Sequence, residues 1–116
     1  MTRGDVVLAR FPHPSGVRGK RRPGVVVQAG SYAAVVGTVV VAAITSNVSM
    51  AADPACLFID ASASEGKAAG VLQDSVVTCL VIGTVNATAI DQTLGRLSPA
   101  QLLLLDDCLK EALGLP

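Results

Sequence analysis

The chain has almost no aromatic residues: one Tyr, two Phe and no Trp in 116 positions. A core without rings must be filled by Val, Leu, Ile and Ala, and the abundance of Val favours strands, because β-branched side chains fit a pleated surface. Charge is also scarce, at 16% of residues against 51% hydrophobic, which excludes a disordered chain and calls for a dense apolar interior. Histidine occurs once, at His13, and Cys56, Cys79 and Cys108 are far apart among apolar neighbours. That pattern excludes a zinc spacing and a disulfide framework; buried thiols in a reducing cytoplasm are expected, with no metal and no cofactor. Gly4, Gly16 and Gly19 fit no phosphate-cradling loop, and there is no Gly-x-Ser-x-Gly elbow. The apolar run 32–44 is too short for a membrane helix and is broken by Gly37 and Thr38, and the first residues lack an apolar signal core. A single cytoplasmic domain over 1–116, with one core, is expected.

What charge there is lies unevenly. The formal net charge is zero, yet Arg3, Arg10, Arg18, Lys20, Arg21 and Arg22 are six of the nine basic residues, and Asp5 is the only acid among the first 22 positions. A polyanion would meet one end of such a molecule.

Periodicity and punctuation predict strands at 5–11, 23–28, 38–44, 57–59 and 75–82, the last ending at Gly83. Residues 12–19 and 62–70 read as loops, and Asn86 as the cap of a short helical turn through Ile90. The best-defined element comes last. Ser98-Pro99-Ala100-Gln101 combines an N-cap Ser, a Pro at the first helical position and Gln at the third, and Gly114 supplies a left-handed stop. Leu102, Leu105, Leu109 and Leu113 recur at helical spacing. Leu103 and Leu104 widen that stripe, which leaves two readings: deeper burial in the same domain, or a subunit contact. The expected fold is mainly β with a C-terminal α-helix, a small antiparallel barrel or half-barrel of the SH3-like type.

With cofactor sites excluded, any chemistry must use Arg, Thr, Ser, Asp or His. Two segments offer it. Arg18-Gly19-Lys20-Arg21-Arg22-Pro23 places four cations just before a strand, and guanidinium groups hold a phosphodiester bidentately and stabilise the charge that develops when it is attacked. Ile44-Thr45-Ser46-Asn47 puts three polar side chains at the end of an apolar strand, where hydroxyls position a phosphate oxygen or a sugar hydroxyl. Each also has a plain reading, as a solvated charged loop and a Ser/Asn turn.

The order of segments adds information. Arg3-Gly4-Asp5-Val6-Val7-Leu8, Phe11-Pro12, Lys20-Arg21-Arg22-Pro23-Gly24-Val25-Val26-Val27, Ala43-Ile44-Thr45-Ser46, Gly70-Val71-Leu72-Gln73-Asp74-Ser75-Val76-Val77 and Leu94-Gly95-Arg96-Leu97-Ser98 resemble the PemK/MazF family of toxins, as does the Leu-rich helix ending Leu113-Gly114-Leu115. The resemblance implies a dimeric SH3-like barrel, the toxin of a type II toxin–antitoxin system, that cuts single-stranded RNA sequence-specifically and is held inactive by a cognate antitoxin. It carries catalytic roles to Arg22 and Thr45, with Arg18, Lys20, Arg21 and Ser46 as RNA contacts. The implied reaction is attack by the ribose 2′-hydroxyl on the adjacent phosphate, leaving a 2′,3′-cyclic phosphate and a 5′-hydroxyl without a metal.

The chain departs from the family at several points. Val17-Arg18 replaces a Glu-Gln pair of many members, and Leu80, Val81 and Gly83, before Thr84, replace an acid or Gln and an Arg. A polar wall thereby becomes apolar, which keeps open a second class of function: a barrel of the related CcdB type, or a degenerate member, acting by binding a protein or nucleic acid. His13 lies between two prolines and matches no family role; Asp5 is expected to hold a loop, Phe11 to pack in the core, and Tyr32 is open between packing and base stacking.

Overall fold

The computed structural model describes residues 1–11 and 20–116; His13, Val17, Arg18 and the loop expected at 12–19 lie outside the described residues. Six strands form one antiparallel sheet in the order β4-β5-β3-β2-β1-β6, and the sheet does not close into a complete barrel. They are β1 Asp5–Arg10, β2 Arg21–Val26, β3 Thr38–Thr45, β4 Cys56–Ile59, β5 Ser75–Asn86 and β6 Ile90–Arg96. Among the described residues the α-helices are α1 Ala33–Val36, α2 Ser64–Ala69 and α3 Pro99–Leu113, with 3-10 turns at Gly30–Tyr32 and Ala87–Ala89. Among the described residues no helix is long and apolar enough to cross a membrane.

The Val-rich strands bury both faces. Alternation along β3 sends Ala42 and Ile44 into one cluster with Val6, Val25, Leu57, Val77 and Leu105, and sends Val39, Val41 and Ala43 into another with Val7, Ala9, Phe11 and Val26. Helix α3 covers the first cluster through Leu105 and Cys108, with Leu102, Leu109 and Ala112 packed alongside. Its start follows the sequence signal: Ser98 accepts from the Gln101 N–H, and the Gln101 side chain accepts from the Ser98 N–H. Ser98 also donates to the Glu65 carboxylate of α2, tying the two helices together.

Several expectations need correction. The segment 62–70 is not a loop throughout, because Ser64–Ala69 is helical and ends at a left-handed Gly70. That helix is pressed onto β6: a Cβ on Gly70 would lie 2.2 Å from the Leu94 carbonyl oxygen, and one on Gly95 would lie 2.3 Å from that of Ala68. Strand β5 does not stop at Gly83, which pairs with Val41; the ladder runs on to Asn86 after a bulge between Thr78 and Ile82. Strand β6 and the helical segment Gly30–Val36 had no counterpart in the sequence reading. Leu113, placed in the apolar stripe, is exposed, and so are Leu103 and Leu104. Burial within the same chain is thus excluded for that pair; Cys108 fills the helix–sheet contact instead.

Candidate active site

Arg22 and Thr45 lie on neighbouring strands at the same end of the sheet. The β2–β3 ladder is Val26↔Val41, Val25↔Ala42 and Gly24↔Ala43. Continued by two residues, this register sets Arg22 opposite Thr45. Alternation gives both side chains the face of Val26, Val41 and Ala43. The ladder stops at Gly24, however. From there Arg22 and Pro23 pair only with β1, as Ala9↔Arg22 and Leu8↔Pro23, while Ile44 and Thr45 pair only with β5. The two strands part, and the two candidate catalytic residues flank the opening.

The turn after β3 fixes Thr45. Its hydroxyl oxygen accepts from the Asn47 N–H at 3.1 Å, and the Asn47 side chain accepts from the Ser49 N–H at 3.1 Å. The Thr45 oxygen is engaged as an acceptor, so its own proton is available for donation to a bound anion. Ser46 is exposed beside it.

The basic residues divide by partnership. Arg3 pairs with Asp106 and donates to the Val27 carbonyl, so it locks α3 to the sheet. Arg21 pairs with Asp91 at 2.9 Å, and Arg10 is engaged as well. Arg22 and Lys20 are exposed and have no ion-pair partner among the described residues. An uncommitted guanidinium on a strand held by β1 is what a phosphate site requires.

Near the end of β3, on the sheet face that carries Val6 and Ile44, opens a cleft of about 390 Å³ that Thr45 lines and Arg22 does not. Val6, Pro23, Ile44, Val71 and Leu94 make its apolar wall, and Thr45, Ser46, Gln73 and Ser75 supply polar atoms. Leu72, on its lip, is 99% exposed. Sequence reasoning assigned no role to Gln73, Leu72 or Leu94, because only the docking of α2 on β6 brings 70–73 across to the ends of β2 and β3. The one hint was an apolar pair followed by Gln within a segment that resembles the family.

The remaining candidates separate cleanly. Asp5 accepts from the Thr2 N–H at 2.9 Å and pairs with Arg96 at 3.5 Å, so it holds the chain entry as expected. Phe11 is buried. Tyr32 is exposed beyond the far end of β2 from Arg22, away from the strand opening. The three cysteines are free and buried, and burial pushes the Cys79 thiol up to about 12, which removes it as a nucleophile near neutral pH. Among the described residues no three His, Cys, Asp or Glu converge as metal ligands. Leu80 and Val81 stand exposed in the β5 bulge, so the apolar replacements of the family's polar residues are on the surface.

A six-stranded antiparallel sheet, not closed, with a C-terminal helix packed on one face is the architecture of the small barrel-type toxins. Residues 2–113 match the family described as PemK-like, MazF-like toxin of type II toxin–antitoxin system, and the chain belongs to it. It is 35% identical over 105 residues to Endoribonuclease MazF6 of Mycobacterium tuberculosis and to Endoribonuclease MazF2 of Mycobacterium bovis, covering 89% of this chain and 87% of each relative. Among solved structures, the Mycobacterium tuberculosis toxin MazF-mt6 superposes with a TM-score of 0.78 at 22% identity, over 97% of this chain and 98% of that one. A MazE–MazF crystal structure from Deinococcus radiodurans gives 0.74 at 19% identity, over 100% and 98%.

Proposed function

We propose that this chain is the toxin of a type II toxin–antitoxin pair, a metal-independent endoribonuclease that cuts single-stranded RNA at preferred sequences in the cytoplasm, with 1–116 acting as one domain. The observation that supports the reading is that β2 and β3 part after Gly24↔Ala43, with Arg22, which has no ion-pair partner among the described residues, on one side of the opening and Thr45 on the other. The RNA supplies its own nucleophile. The 2′-oxygen attacks the adjacent phosphorus and loses its proton to solvent, a 2′-O–P bond forms, and the P–O5′ bond breaks as the 5′-oxygen takes up a proton. The protein need only orient the phosphate and neutralise its charge. Arg22 stabilises the charge on the non-bridging oxygens, and the Thr45 hydroxyl donates to one of them. Lys20, Arg21, Ser46 and Arg18 extend the contact along the strand, and DNA, without the 2′-hydroxyl, is not cut.

Assembly follows from the surface. Leu103, Leu104, Leu113 and Leu115 are exposed at α3 and just beyond, as are Leu80 and Val81 on β5. A two-fold dimer buries part of this apolar excess. A cognate antitoxin segment, acidic and disordered when free, covers the basic end and blocks RNA.

The test is incubation of the purified protein and its Arg22→Ala variant with mixed RNA in EDTA, followed by mapping of the cut ends. New 5′-hydroxyl ends from the wild type and their near-absence from the variant are expected. A strict magnesium requirement, or 5′-phosphate ends, sinks the mechanism. Absence of cutting by both, with retained binding of a protein target, moves the chain to the CcdB-like class that the apolar Leu80, Val81 and Gly83 kept open.

A further inference from the structure

Thr45 ends β3, and the turn that follows decides where its hydroxyl points. A threonine at a strand end, left without a partner, rotates about χ1 among three staggered positions. Two of the three put a methyl or a hydrogen where the hydroxyl had been. Here the hydroxyl oxygen is held by the Asn47 N–H at 3.1 Å. That N–H keeps its direction only while residue 47 keeps its backbone angles. The Asn47 side chain restricts those angles, because its oxygen accepts from the Ser49 N–H at 3.1 Å. We propose that Asn47 is a positioning residue for RNA cleavage: its bond to Ser49 holds the 45–47 turn, and the turn holds the Thr45 hydroxyl in the one rotamer that donates to the phosphate. The inference rests on the assignment of Thr45 to the phosphate.

The turn is anchored further along the chain. The Ala51 N–H donates to the Val48 carbonyl at 3.0 Å, and the Asp53 N–H to the Met50 carbonyl at 2.9 Å. The Asp53 carboxylate accepts from the Ala55 N–H at 2.9 Å, and the Ala55 carbonyl accepts from the Cys79 N–H of β5 at 3.0 Å. Overlapping turns therefore run from the end of β3 back to β5, the strand that pairs with Thr45 through Val76. The bond from Asn47 to Ser49 is the link that joins the Thr45 turn to the rest of that series.

Asn47 has no comparable duty in the fold. Residues 46–50 are all exposed, and Asn47 belongs to neither core cluster. One hydrogen bond in open solvent adds little to folding. The same bond, two residues from a reacting phosphate, governs the aim of the hydroxyl that meets it. Direct contact between the Asn47 amide nitrogen and RNA is the rival reading, and it predicts a loss of binding instead of a loss of aim.

The experiment compares the full-length wild type with Asn47→Ala, Asn47→Asp, Thr45→Ala and the double variant, using a short RNA that carries one wild-type cut site. Asn47→Ala should lower kcat roughly fivefold to tenfold, the worth of one hydrogen bond, and melt near the wild type. Its KM should stay within about twofold, because aim is lost and ground-state binding is not. Asn47→Asp keeps the acceptor for Ser49 but has no amide donors, so it should recover the wild-type kcat; its added charge should appear only in KM and fade with salt. In the Thr45→Ala background Asn47→Ala should have no further effect, since no hydroxyl remains to be aimed. NMR couplings across the Thr45 Cα–Cβ bond read the rotamer in the free protein. They should report one rotamer in the wild type and in Asn47→Asp, and averaging in Asn47→Ala. An unchanged kcat in Asn47→Ala overturns the proposal, as does an equal loss in both backgrounds. A raised KM at constant kcat in Asn47→Ala, or an Asn47→Asp as slow as Asn47→Ala, also overturns it and gives Asn47 to direct RNA contact. The assignment of Thr45 fails separately, when Thr45→Ala cuts as fast as the wild type. If the wild type cuts no RNA, the couplings alone decide whether Asn47 holds the hydroxyl.

Discussion

At the seam between α2 and β6, backbone lies against backbone: Gly70 abuts Leu94, Gly95 abuts the Ala68–Ala69 peptide, and Ser98 ties the cap of α3 to Glu65. At the parted ends of β2 and β3 the pattern reverses, and the polar groups of Arg22, Ser46 and Gln73 point at no partner of their own among the described residues. The same cleft touches both regions, since Gly70 and Leu94 line it together with Thr45 and Ser46. The contrast separates residues that make the shape from residues that await a ligand. Removing the first kind should cost stability, and removing the second kind should cost activity at constant stability.

The seam should give the largest effect. A Cβ at position 95 would lie 2.3 Å from the Ala68 oxygen and 2.4 Å from the Ala69 carbonyl carbon, both backbone atoms that cannot rotate away. Gly95→Ala should therefore cost about 3 kcal/mol or more, beyond ordinary overpacking. Urea unfolding measures it, and a midpoint near that of the wild type would show that α2 is free to lift from β6.

At the opening the expected losses are kinetic. Arg22→Ala should slow cleavage by about two to three orders of magnitude, roughly 2.7–4 kcal/mol of transition-state stabilisation. Thr45→Ala should cost about tenfold to a hundredfold, because its hydroxyl positions more than it neutralises. Arg22→Ala should melt like the wild type, since Arg22 is exposed and holds no ion pair among the described residues, whereas Thr45→Ala should melt slightly lower, because it removes the acceptor of the Asn47 N–H. A lowered melting temperature in Arg22→Ala would place it with the seam and break the comparison.

The two regions also differ in how far they could be read from the sequence. Strands β1 and β3 and helix α3 were legible because each carries a complete local signal: alternation or a long β-branched run in the strands, and a Ser-Pro-x-Gln start with a Gly stop in the helix. Helix α2 was not, since Ser64–Ala69 has neither an apolar stripe nor a capping side chain and is helical only because it docks on β6. Strand β6 was hidden for a related reason. Ile90–Arg96 is an edge strand that buries little, so its sequence IDQTLGR shows no run of core residues. Arg22 and Thr45 were named from the family resemblance, but their juxtaposition depends on the β2–β3 register, which no single segment encodes. The cleft was invisible because its walls come from both ends of the chain.

A pH effect should fall in the core shared by the two regions. Burial raises the Cys79 thiol from 9.0 to about 12, and Cys108 shifts upward for the same reason. A thiol that keeps its proton when folded and loses it when unfolded adds stability fully below pH 9, and that contribution declines as pH rises towards 12. The decline should be at most about 1.4 kcal/mol per pH unit for Cys79. Cys79→Ala should be less stable at pH 7 and flatter between pH 9 and 11; equal slopes by denaturant titration would rule out this source.

The smallest expected effect tests the difference between Arg21 and Arg22, adjacent cations with different partners. Arg21 pairs with Asp91 at 2.9 Å, but the two side chains are 54% and 39% exposed. An ion pair so open to water and salt contributes less than about 1 kcal/mol, so Arg21→Ala should shift the melting temperature only slightly. Its catalytic loss should be less than about threefold, because its side chain alternates onto the opposite face from Arg22 and does not meet the reacting phosphate. What it should change is binding. With one fewer phosphate contact, the slope of log affinity for single-stranded RNA against log salt should fall by about 0.7. Asp91→Asn should act in the reverse sense, releasing Arg21 from its neighbour and raising low-salt affinity without altering the cut sites. If Arg21→Ala abolishes cleavage while Arg22→Ala leaves it intact, the phosphate is held on the other face of β2, by Arg21.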